Sequence, residues 1–260
     1  MMKTAMILAA GLGTRLKPLT DRMPKALVPY EGIPLIERLM LRLREAGFTR
    51  AVINVHHFAD MLENFIRSRD GFGLDVAFSD ERDLLRDTGG GIRHAFMSGL
   101  IGQEPVLVHN VDIVTSGIDL DRFYRCDGAF NAATAGSGTP AAALLVNGRT
   151  SSRYLLAGSD GQLRGWEYPA KGIFKGSGPH AAIPAETPSQ AGLPEEGLHR
   201  YAFCGIHTIS PEAIGMMRSW PETFSVIDFY LTVAAEHAVR CVSAPEEAVI
   251  TDVGKLSLLR

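Results

Sequence analysis

The chain has 260 residues, of which 46% are hydrophobic and 21% charged, as expected for a globular protein with a substantial core. Its 26 basic and 29 acidic residues give a net charge of −3, which argues against surfaces for nucleic acids or anionic membranes. No apolar run approaches the length of a membrane span, and the first residues lack the order of a signal peptide. We therefore expect a cytoplasmic protein without membrane contact. The spacing of the three cysteines favours reduced thiols over disulfides or zinc ligands: Cys126, Cys204 and Cys241.

The first predicted element is a buried strand over 5–10 that runs into a glycine-rich, basic loop. Gly11 and Gly13 allow a tight turn in which backbone N–H groups converge on one point, and such a point suits a phosphate. Side chains that can donate to phosphate oxygens follow at Thr14, Arg15 and Lys25. The stretch therefore predicts a cradle for a polyphosphate with two mobile cations.

Two other phosphate-binding loops also follow a strand, and neither fits this stretch. The dinucleotide fingerprint G-x-G-x-x-G would need glycine at Leu16, and the P-loop pattern would need Gly-Lys-Ser/Thr after its first glycine. A dinucleotide loop also runs directly into a helix, whereas Pro18, Pro24 and Pro29 interrupt this segment. A long basic segment without regular structure indicates a functional loop more than a connector.

The stretch Leu8 to Pro29, LAAGLGTRLKPLTDRMPKALVP, resembles the signature of the sugar-1-phosphate nucleotidyltransferases. That signature reads L-A-A-G-x-G-T-R-L-x-P-L-T followed by P-K-x-L-x-P, and every fixed position is present. The resemblance implies an α/β fold with a Rossmann-like, three-layer mixed sheet and a smaller antiparallel acceptor lobe. It implies one domain over 1–260, with a nucleotide-binding half over 1–115 and an acceptor-binding half over 116–260. The nucleotide-binding residues that it implies here are Leu8, Ala10, Gly11, Gly13, Thr14, Arg15 and Lys25.

Helices and strands alternate after the loop. Apolar periodicity predicts a helix over 34–46, a strand over 51–55, a helix over 58–69 and a strand over 74–78. This rhythm is typical of a parallel sheet covered on both faces.

Three consecutive glycines then follow Thr88 and precede a predicted short helix over 92–100. Such a run is costly unless backbone must approach another group closely, although a simple turn before a helix is the alternative. The segment D-T-G-G-G is similar to E-T-G-G-G in the muramic-acid-phosphate uridylyltransferase branch of the family. There the turn lies against the nucleotide base, which implies base contact here for Thr88, Gly89 and Gly90.

A buried strand over 105–108 ends at His109-Asn110-Val111-Asp112. Ligands bind beyond the carboxyl ends of strands in open α/β sheets, so Asp112 is placed to hold a cation near phosphates. A surface-turn aspartate is the alternative. The family usually has N-G-D or N-S-D here, so the resemblance implies nucleotide contact for Asn110. It also implies a second metal carboxylate at Asp252, because T-D-V-G over 251–254 is similar to the family's W-x-D-I/V-G-T-P.

The second half of the chain is predicted to be more antiparallel, with strands over 130–135, 141–146, 153–157, 162–166 and 200–209. The resemblance implies acceptor contacts for Glu167, which matches the glutamate of the family's E-K-P, and for Gly205. Tyr168 stands where that motif has lysine, and Lys171 and Arg153 remain alternatives for the missing charge. The segment 169–197 is predicted to be a mobile loop, either near the acceptor pocket or incidental. The histidines lack zinc-site spacing and are interpreted as structural or pocket-wall residues.

The reaction implied by the resemblance is NTP plus sugar 1-phosphate giving NDP-sugar plus diphosphate. Arg15 would hold the β- and γ-phosphates, Lys25 would reach the α-phosphate and the acceptor phosphate, and Mg²⁺ would be held by Asp112 and Asp252. Uridylyl transfer from UTP to N-acetylmuramate 1-phosphate is favoured. Guanylyl transfer to mannose 1-phosphate and cytidylyl transfer to phosphocholine are alternatives, as is a non-catalytic nucleotide-sugar sensor. The oligomeric state does not follow from the sequence.

Overall fold

A computed structural model describes residues 2–125, 140–177 and 197–254 of the chain. The elements up to the middle of the chain are β1 (Thr4–Leu8), β2 (Pro29–Tyr30), β3 (Ile33–Pro34), α1 (Leu35–Glu45), β4 (Arg50–Val55), α2 (Ala59–Arg67), β5 (Asp75–Asp80), α3 (Asp87–Met97), β6 (Val106–Asn110), β7 (Ile113–Ser116) and α4 (Leu120–Tyr124). The remaining described elements are β8 (Ala142–Asn147), β9 (Tyr154–Ala157), β10 (Leu163–Tyr168), β11 (Ile173–Gly176), β12 (His199–Ile209), α5 (Pro211–Met216), α6 (Val226–Val233), β13 (Val239–Ser243) and β14 (Val249–Asp252).

A central mixed sheet organises the molecule, with strand order β11-β10-β9-β12-β6-β1-β4-β5 and with β8 and β13 branching from β12. Strands β6, β1, β4 and β5 are mutually parallel, and β12 runs antiparallel to β6. Alternate residues of these buried strands point to opposite faces, so the sheet carries two apolar clusters. Helices α1 and α2 cover one face, and α3, α5 and α6 cover the other. The mixed α/β class and the more antiparallel second half are as predicted.

Strand β1 ends two residues earlier than predicted, at Leu8, because the next two N–H groups bond to a side chain and not to a neighbouring strand. The loop that follows is less irregular than predicted. It contains three single 3₁₀ turns, over Thr14–Leu16, Leu19–Asp21 and Lys25–Leu27. Short turns of this kind let the chain stay compact between the interrupting prolines.

The predicted start of the third helix is wrong. Helix α3 begins at Asp87, so Gly89, Gly90 and Gly91 lie inside it and do not form a preceding turn. A Cβ at Gly89 would collide with the ring of Phe224, and one at Gly90 would collide with the backbone oxygen of Glu222. Close packing of the 222–224 segment therefore outweighs the low helix propensity of glycine.

Part of the predicted loop over 169–197 is also ordered as a strand, since β11 pairs antiparallel with β10. Residues 178–196 of that loop, the strand predicted over 130–135 and Cys126 lie outside the described residues. Cys204 and Cys241 are buried free thiols, and burial raises the pKa of the Cys241 thiol to about 12. Among the helices described, none combines the length and apolar character needed to cross a membrane.

Candidate active site

The glycine loop after β1 exposes Gly11, Leu12, Thr14 and Arg15, whereas Gly13 is half-buried and held by hydrogen bonds from the residues behind it. Gly13 has a positive φ of 63°, and a Cβ there would lie 2.7 Å from the Cγ2 atom of Thr20. The buried Thr20 hydroxyl donates to the Gly13 oxygen at 2.9 Å, and the Leu16 N–H donates to the same oxygen at 2.8 Å. Position 13 therefore requires glycine, and the bracing leaves the Thr14 and Arg15 side chains exposed to solvent.

Two carboxylates that are distant in sequence meet through a short ladder. Strands β7 and β14 pair antiparallel with Asp252 opposite Ile113, the residue that follows Asp112. Beyond the ladder, the Val253 N–H donates to the backbone oxygen of Asp112 at 2.9 Å. The Gly254 N–H donates to Asp252 Oδ1, also at 2.9 Å, which fixes that side chain. The ladder brings both predicted metal ligands to one point at the end of β6.

The space beside Gly254 is where the predicted catalytic groups converge. A Cβ at this position would lie 2.8 Å from each of three atoms, Arg15 Nη2, Asp112 Oδ2 and Asp252 Oδ1. The Lys25 ammonium group forms an ion pair with Asp112 Oδ2, and both side chains are largely buried. The structure thus brings Arg15, Lys25, Asp112 and Asp252 together. Gly254 completes the site by having no side chain, a role that its match to the motif did not reveal.

This donor set fits a hard divalent cation. Carboxylate oxygens are the ligands that Mg²⁺ prefers, and Mg²⁺ usually takes one or two of them together with phosphate and water oxygens. Within residues 2–125, 140–177 and 197–254, no group of three or more histidine, cysteine, aspartate or glutamate side chains could hold a metal. The two carboxylates beside the glycine loop would therefore be sufficient only if a bound substrate supplied further ligands.

The acceptor-side strand approaches the same end of β6. Gly205 in β12 has a positive φ of 71°, and a Cβ there would lie 2.9 Å from Asn110 Nδ2 and 2.9 Å from Ile113 Cγ1. An irregularity in the β8–β12 pairing falls between Phe203 and His207, around this glycine. Gly205 is thus in contact with Asn110, one of the predicted nucleotide-binding residues.

Glu167 on β10 is held by an arginine. Arg200 Nε lies 2.5 Å from Glu167 Oε1, and Arg200 Nη2 donates to Oε2 at 3.2 Å. The neighbouring Tyr168 ring lies between two cations, with the Arg153 guanidinium 5.2 Å and the Lys171 ammonium 5.3 Å from its centroid. Arg153 and Lys171, the two alternatives for the missing lysine of the E-K-P motif, therefore both contact Tyr168, which stands in its place.

The polar groups at the start of α3 are already engaged within the protein. The N–H groups of Gly89 and Gly90 donate to the Phe224 oxygen, and Thr88 Oγ1 accepts from the Val226 N–H at 3.0 Å. Contact of these residues with a base stays a prediction.

A polar network behind the glycine loop was missed by the reading of the sequence. Leu8 at the end of β1 is paired with Asn54 on one side and Asn110 on the other. The Asn54 side chain accepts from the N–H groups of Ala9 and Ala10, and it donates to the buried Glu81 carboxylate. An asparagine within the apolar strand V-I-N-V was the available signal, because a buried amide needs partners.

His109 is buried next to this site. Its Nδ1 lies 2.8 Å from the Asn110 oxygen, and burial lowers its pKa to about 4. A neutral, fully enclosed ring supports its interpretation as a structural residue.

The family model described as nucleotidyl transferase matches residues 4–133, half of the chain. The chain belongs to the nucleotidyl transferase family. The match includes the glycine loop, Lys25 and Asp112, whereas Asp252 and Gly254 lie beyond it.

Curated relatives of this nucleotidyl transferase each align with less than half of it. N-acetylmuramate alpha-1-phosphate uridylyltransferase of Caulobacter vibrioides is 49% identical over 114 residues, which cover 43% of this chain and 46% of that protein. The protein with the same description from Neisseria meningitidis is 42% identical over 43% of this chain and 47% of its own length. Mannose-1-phosphate guanylyltransferase of Mycobacterium tuberculosis is 33% identical over an alignment that covers 45% of this chain and 31% of that protein. These alignments span less than half of each relative.

Solved structures match over the whole length. A putative glucose-1-phosphate thymidylyltransferase from Bacillus anthracis superposes with a TM-score of 0.73 at 17% identity, covering 100% of this chain and 92% of that chain. A UDP-glucose pyrophosphorylase complexed with UDP-glucose has a TM-score of 0.68 at 18% identity, with coverage of 100% and 96%. At these identities the likeness establishes the fold.

Proposed function

We propose that this chain is a sugar-1-phosphate nucleotidyltransferase that transfers a uridylyl group from UTP to N-acetylmuramate 1-phosphate and releases diphosphate. The observation that carries the proposal is the convergence of Arg15, Asp112 and Asp252 beside Gly254, with Lys25 on Asp112. Two cations and two carboxylates close to one residue without a side chain suit a reaction in which two phosphate anions must meet.

The proposed chemistry is an in-line displacement at the α-phosphorus of the NTP. A phosphate oxygen of the acceptor forms the new bond to this phosphorus, while the bond to the bridging oxygen breaks and its electron pair leaves with diphosphate. No covalent nucleophile of the protein is required. The protein neutralises the converging charges and holds them in line, which is the main source of catalysis for phosphoryl transfer.

Each charged residue has a separate part in this scheme. Arg15 on the exposed loop would hold the β- and γ-phosphates, since its planar fork suits phosphate oxygens. Lys25 pairs with Asp112 in the described structure and would turn to the α-phosphate and acceptor phosphate once Asp112 binds a metal. A bound Mg²⁺, held by Asp112 and Asp252, would supply further charge neutralisation. We propose Mg²⁺ because the two carboxylates beside Gly254 offer the hard oxygen ligands that this cation prefers.

The choice of substrates rests on one sequence segment and on the curated relatives. The D-T-G-G-G segment resembles the muramic-acid-phosphate branch, and two relatives described as N-acetylmuramate alpha-1-phosphate uridylyltransferases are 49% and 42% identical over 114 and 111 residues. Guanylyl transfer to mannose 1-phosphate is the second candidate, supported by a relative of that description at 33% identity. The division into nucleotide and acceptor halves and the cytoplasmic location stay predictions from the sequence.

Diphosphate release tests the proposal. The protein is incubated with Mg²⁺, each of the four common NTPs, and N-acetylmuramate 1-phosphate, mannose 1-phosphate, glucose 1-phosphate or phosphocholine. We expect release with UTP only when the muramate phosphate is present. Asp112→Asn and Asp252→Asn should each reduce turnover about 100-fold or more, because each removes a charge at the reacting phosphates. Asp60→Asn changes an exposed carboxylate outside the site and is the matched control.

Two results would contradict the proposal. Binding of the NTP without release of diphosphate from it, whichever acceptor is supplied, would favour a nucleotide-sugar sensor. Full activity of Asp112→Asn would remove this carboxylate from the mechanism.

A further inference from the structure

Asn54, at the end of β4, holds the backbone that leads into the glycine loop. Its side chain is buried, and its Oδ1 atom accepts hydrogen bonds from the Ala9 N–H at 2.6 Å and the Ala10 N–H at 3.2 Å. These are the first two residues after β1, where no neighbouring strand fixes the chain. One side-chain oxygen therefore sets the direction in which the backbone enters Gly11.

Glu81 fixes the Asn54 amide in turn. This residue follows β5 and is completely buried, and its Oε1 atom accepts from Asn54 Nδ2 at 2.9 Å. Its Oε2 atom accepts from the Arg86 N–H at 3.3 Å, immediately before α3. Both neighbours are donors, so an ionised carboxylate, which only accepts, satisfies the two contacts. The network links the start of the phosphate loop to the start of α3.

The last glycine of the T-G-G-G segment leaves room for this network. A Cβ at Gly91 would lie 2.8 Å from Glu81 Oε1 and 3.0 Å from Asn54 Nδ2. A side chain at this position would therefore displace the carboxylate or the amide. The glycine is explained by the space that the buried polar groups need.

We propose that Asn54 and Glu81 are positioning residues that preform the phosphate-binding loop for the NTP. They hold the Ala9 and Ala10 N–H groups in place, so that the loop does not have to become ordered when the nucleotide binds. The role of the loop in binding phosphates rests on the proposed function; the network itself does not. Neither residue touches the acceptor site at Gly205 or Glu167 through any contact among the described residues.

An exchange of the two functional groups tests this role. In Asn54→Asp alone, a second carboxylate faces Glu81, and in Glu81→Gln alone, an NH₂ group must face a donor. The double variant restores complementarity, because the new amide at position 81 donates its NH₂ group to the new carboxylate at position 54, and the amide oxygen accepts from the Arg86 N–H. We expect each single variant to raise KM for the NTP about tenfold or more, since a buried polar group loses its partner. In the double variant, KM for the NTP should return most of the way to the wild-type value.

The readouts separate positioning from general stability. KM for the acceptor should stay within about twofold of the wild-type value in all variants. NTP affinity, measured by calorimetry, should fall in the single variants and recover in the double variant. Hydrogen-exchange protection of the Ala9 and Ala10 amides should change in the same way. Glu63→Gln, at another buried glutamate that pairs with Arg67 and Arg82, is the matched control. Unchanged NTP affinity in both folded single variants would overturn the inference.

The double variant keeps the test decisive if a single variant does not fold. It must fold and bind NTP like the wild type, and failure of a folded double variant to do so would also overturn the inference. A wild-type protein that binds NTP but transfers nothing would refute the proposed function alone. Recovery of NTP binding and amide protection in the double variant would still support the positioning role.

Discussion

The absence of a side chain at Gly254 leaves room for the charged groups around it. Its φ is not in the left-handed region, so conformational freedom does not explain it, and the atoms around the missing Cβ do. Arg15, Asp112 and Asp252 each place a charged atom 2.8 Å from that position. Any carbon there would push apart the groups that we propose to bind the same phosphates and cation.

Gly254→Ala should therefore reduce kcat/KM about 100-fold, because displacements of about 1 Å at a reacting centre have effects of that size. The melting temperature should change little although Gly254 is buried, since the three atoms nearest to the added methyl group are the ends of side chains and not backbone. Gly148→Ala, which meets no atom within 4 Å, is the control in both assays. Wild-type kcat/KM for Gly254→Ala would show that the space beside this residue is not the reaction site.

At the scale of elements, α3 is positioned by a segment that lies far along the chain. The N–H groups of Gly89 and Gly90 donate to Phe224, and the 222–224 segment fills the space that side chains at 89 and 90 would need. The carbonyl of Glu222 is backbone and cannot rotate away as a side chain could. Packing at Gly90 is therefore the least adaptable contact along this helix.

Gly90→Ala should lower the free energy of unfolding by about 3 kcal/mol, as overpacking against backbone does, despite the higher helix propensity of alanine. Gly215→Ala in α5 adds the same methyl group where no atom lies within 4 Å, and it should stabilise the protein by about 0.5 kcal/mol. Urea denaturation of both variants measures the contrast. Equal unfolding free energies for the two variants would contradict the packing explanation.

The ring of Tyr168, the last residue of β10, is in contact with two cations. Arg153 and Lys171 both lie against Tyr168, and neither has an acidic partner among the described residues. Their neighbour Glu167 is the predicted acceptor residue. We expect this pair of cations to carry the charge that lysine supplies in the family's E-K-P motif.

Arg153→Ala and Lys171→Ala, made separately, should identify which cation meets the acceptor phosphate. The responsible variant should raise KM for the sugar phosphate about tenfold, the size of one lost charge-assisted hydrogen bond, and leave KM for the NTP unchanged. Arg164→Ala removes a nearby arginine that is paired with Asp160 and serves as the control. If neither substitution moves the acceptor KM, the charge is supplied elsewhere.

For the whole molecule, buried histidines connect stability to pH. His207 in β12 lies between the rings of Phe203 and Tyr230, at 5.7 Å and 5.4 Å, and burial lowers its pKa to about 3. Neither of its ring nitrogens has a partner in the part of the chain that the structure describes. The unfolded chain takes up a proton here near pH 6.5 and the folded chain does not, so stability is complete above that pH and falls as the pH drops toward 3.

The contribution of His207 should be about 1.4 kcal/mol of unfolding free energy per pH unit below about 6. His207→Leu should flatten the pH dependence by that amount, because leucine fills the apolar site without titrating. Urea denaturation between about pH 7.5 and about pH 4.5 measures the slope, with His57→Leu at an exposed histidine as the control. A slope unchanged by His207→Leu would show that this ring does not stay neutral in the folded state.

Local patterns in the sequence were sufficient for several conclusions. The glycine loop with Arg15 and Lys25 and the alternation of helices and strands depend on residues close together in the chain, where spacing and residue type carry the chemistry. The same holds for Asp112 at the end of β6. These features predicted the family, the α/β fold and the charged residues of the candidate site.

Only the tertiary structure decided how distant segments meet. It showed that the β7–β14 ladder joins Asp252 to Asp112, that the 222–224 segment packs on the glycines of α3, and that Asn54, itself bonded to Glu81, accepts from the backbone before the glycine loop. Contacts with residues far away in the sequence explain three features: the buried amide of Asn54, the glycine at 254 and the three glycines inside α3. Contacts of that kind depend on packing between elements, which no local pattern contains.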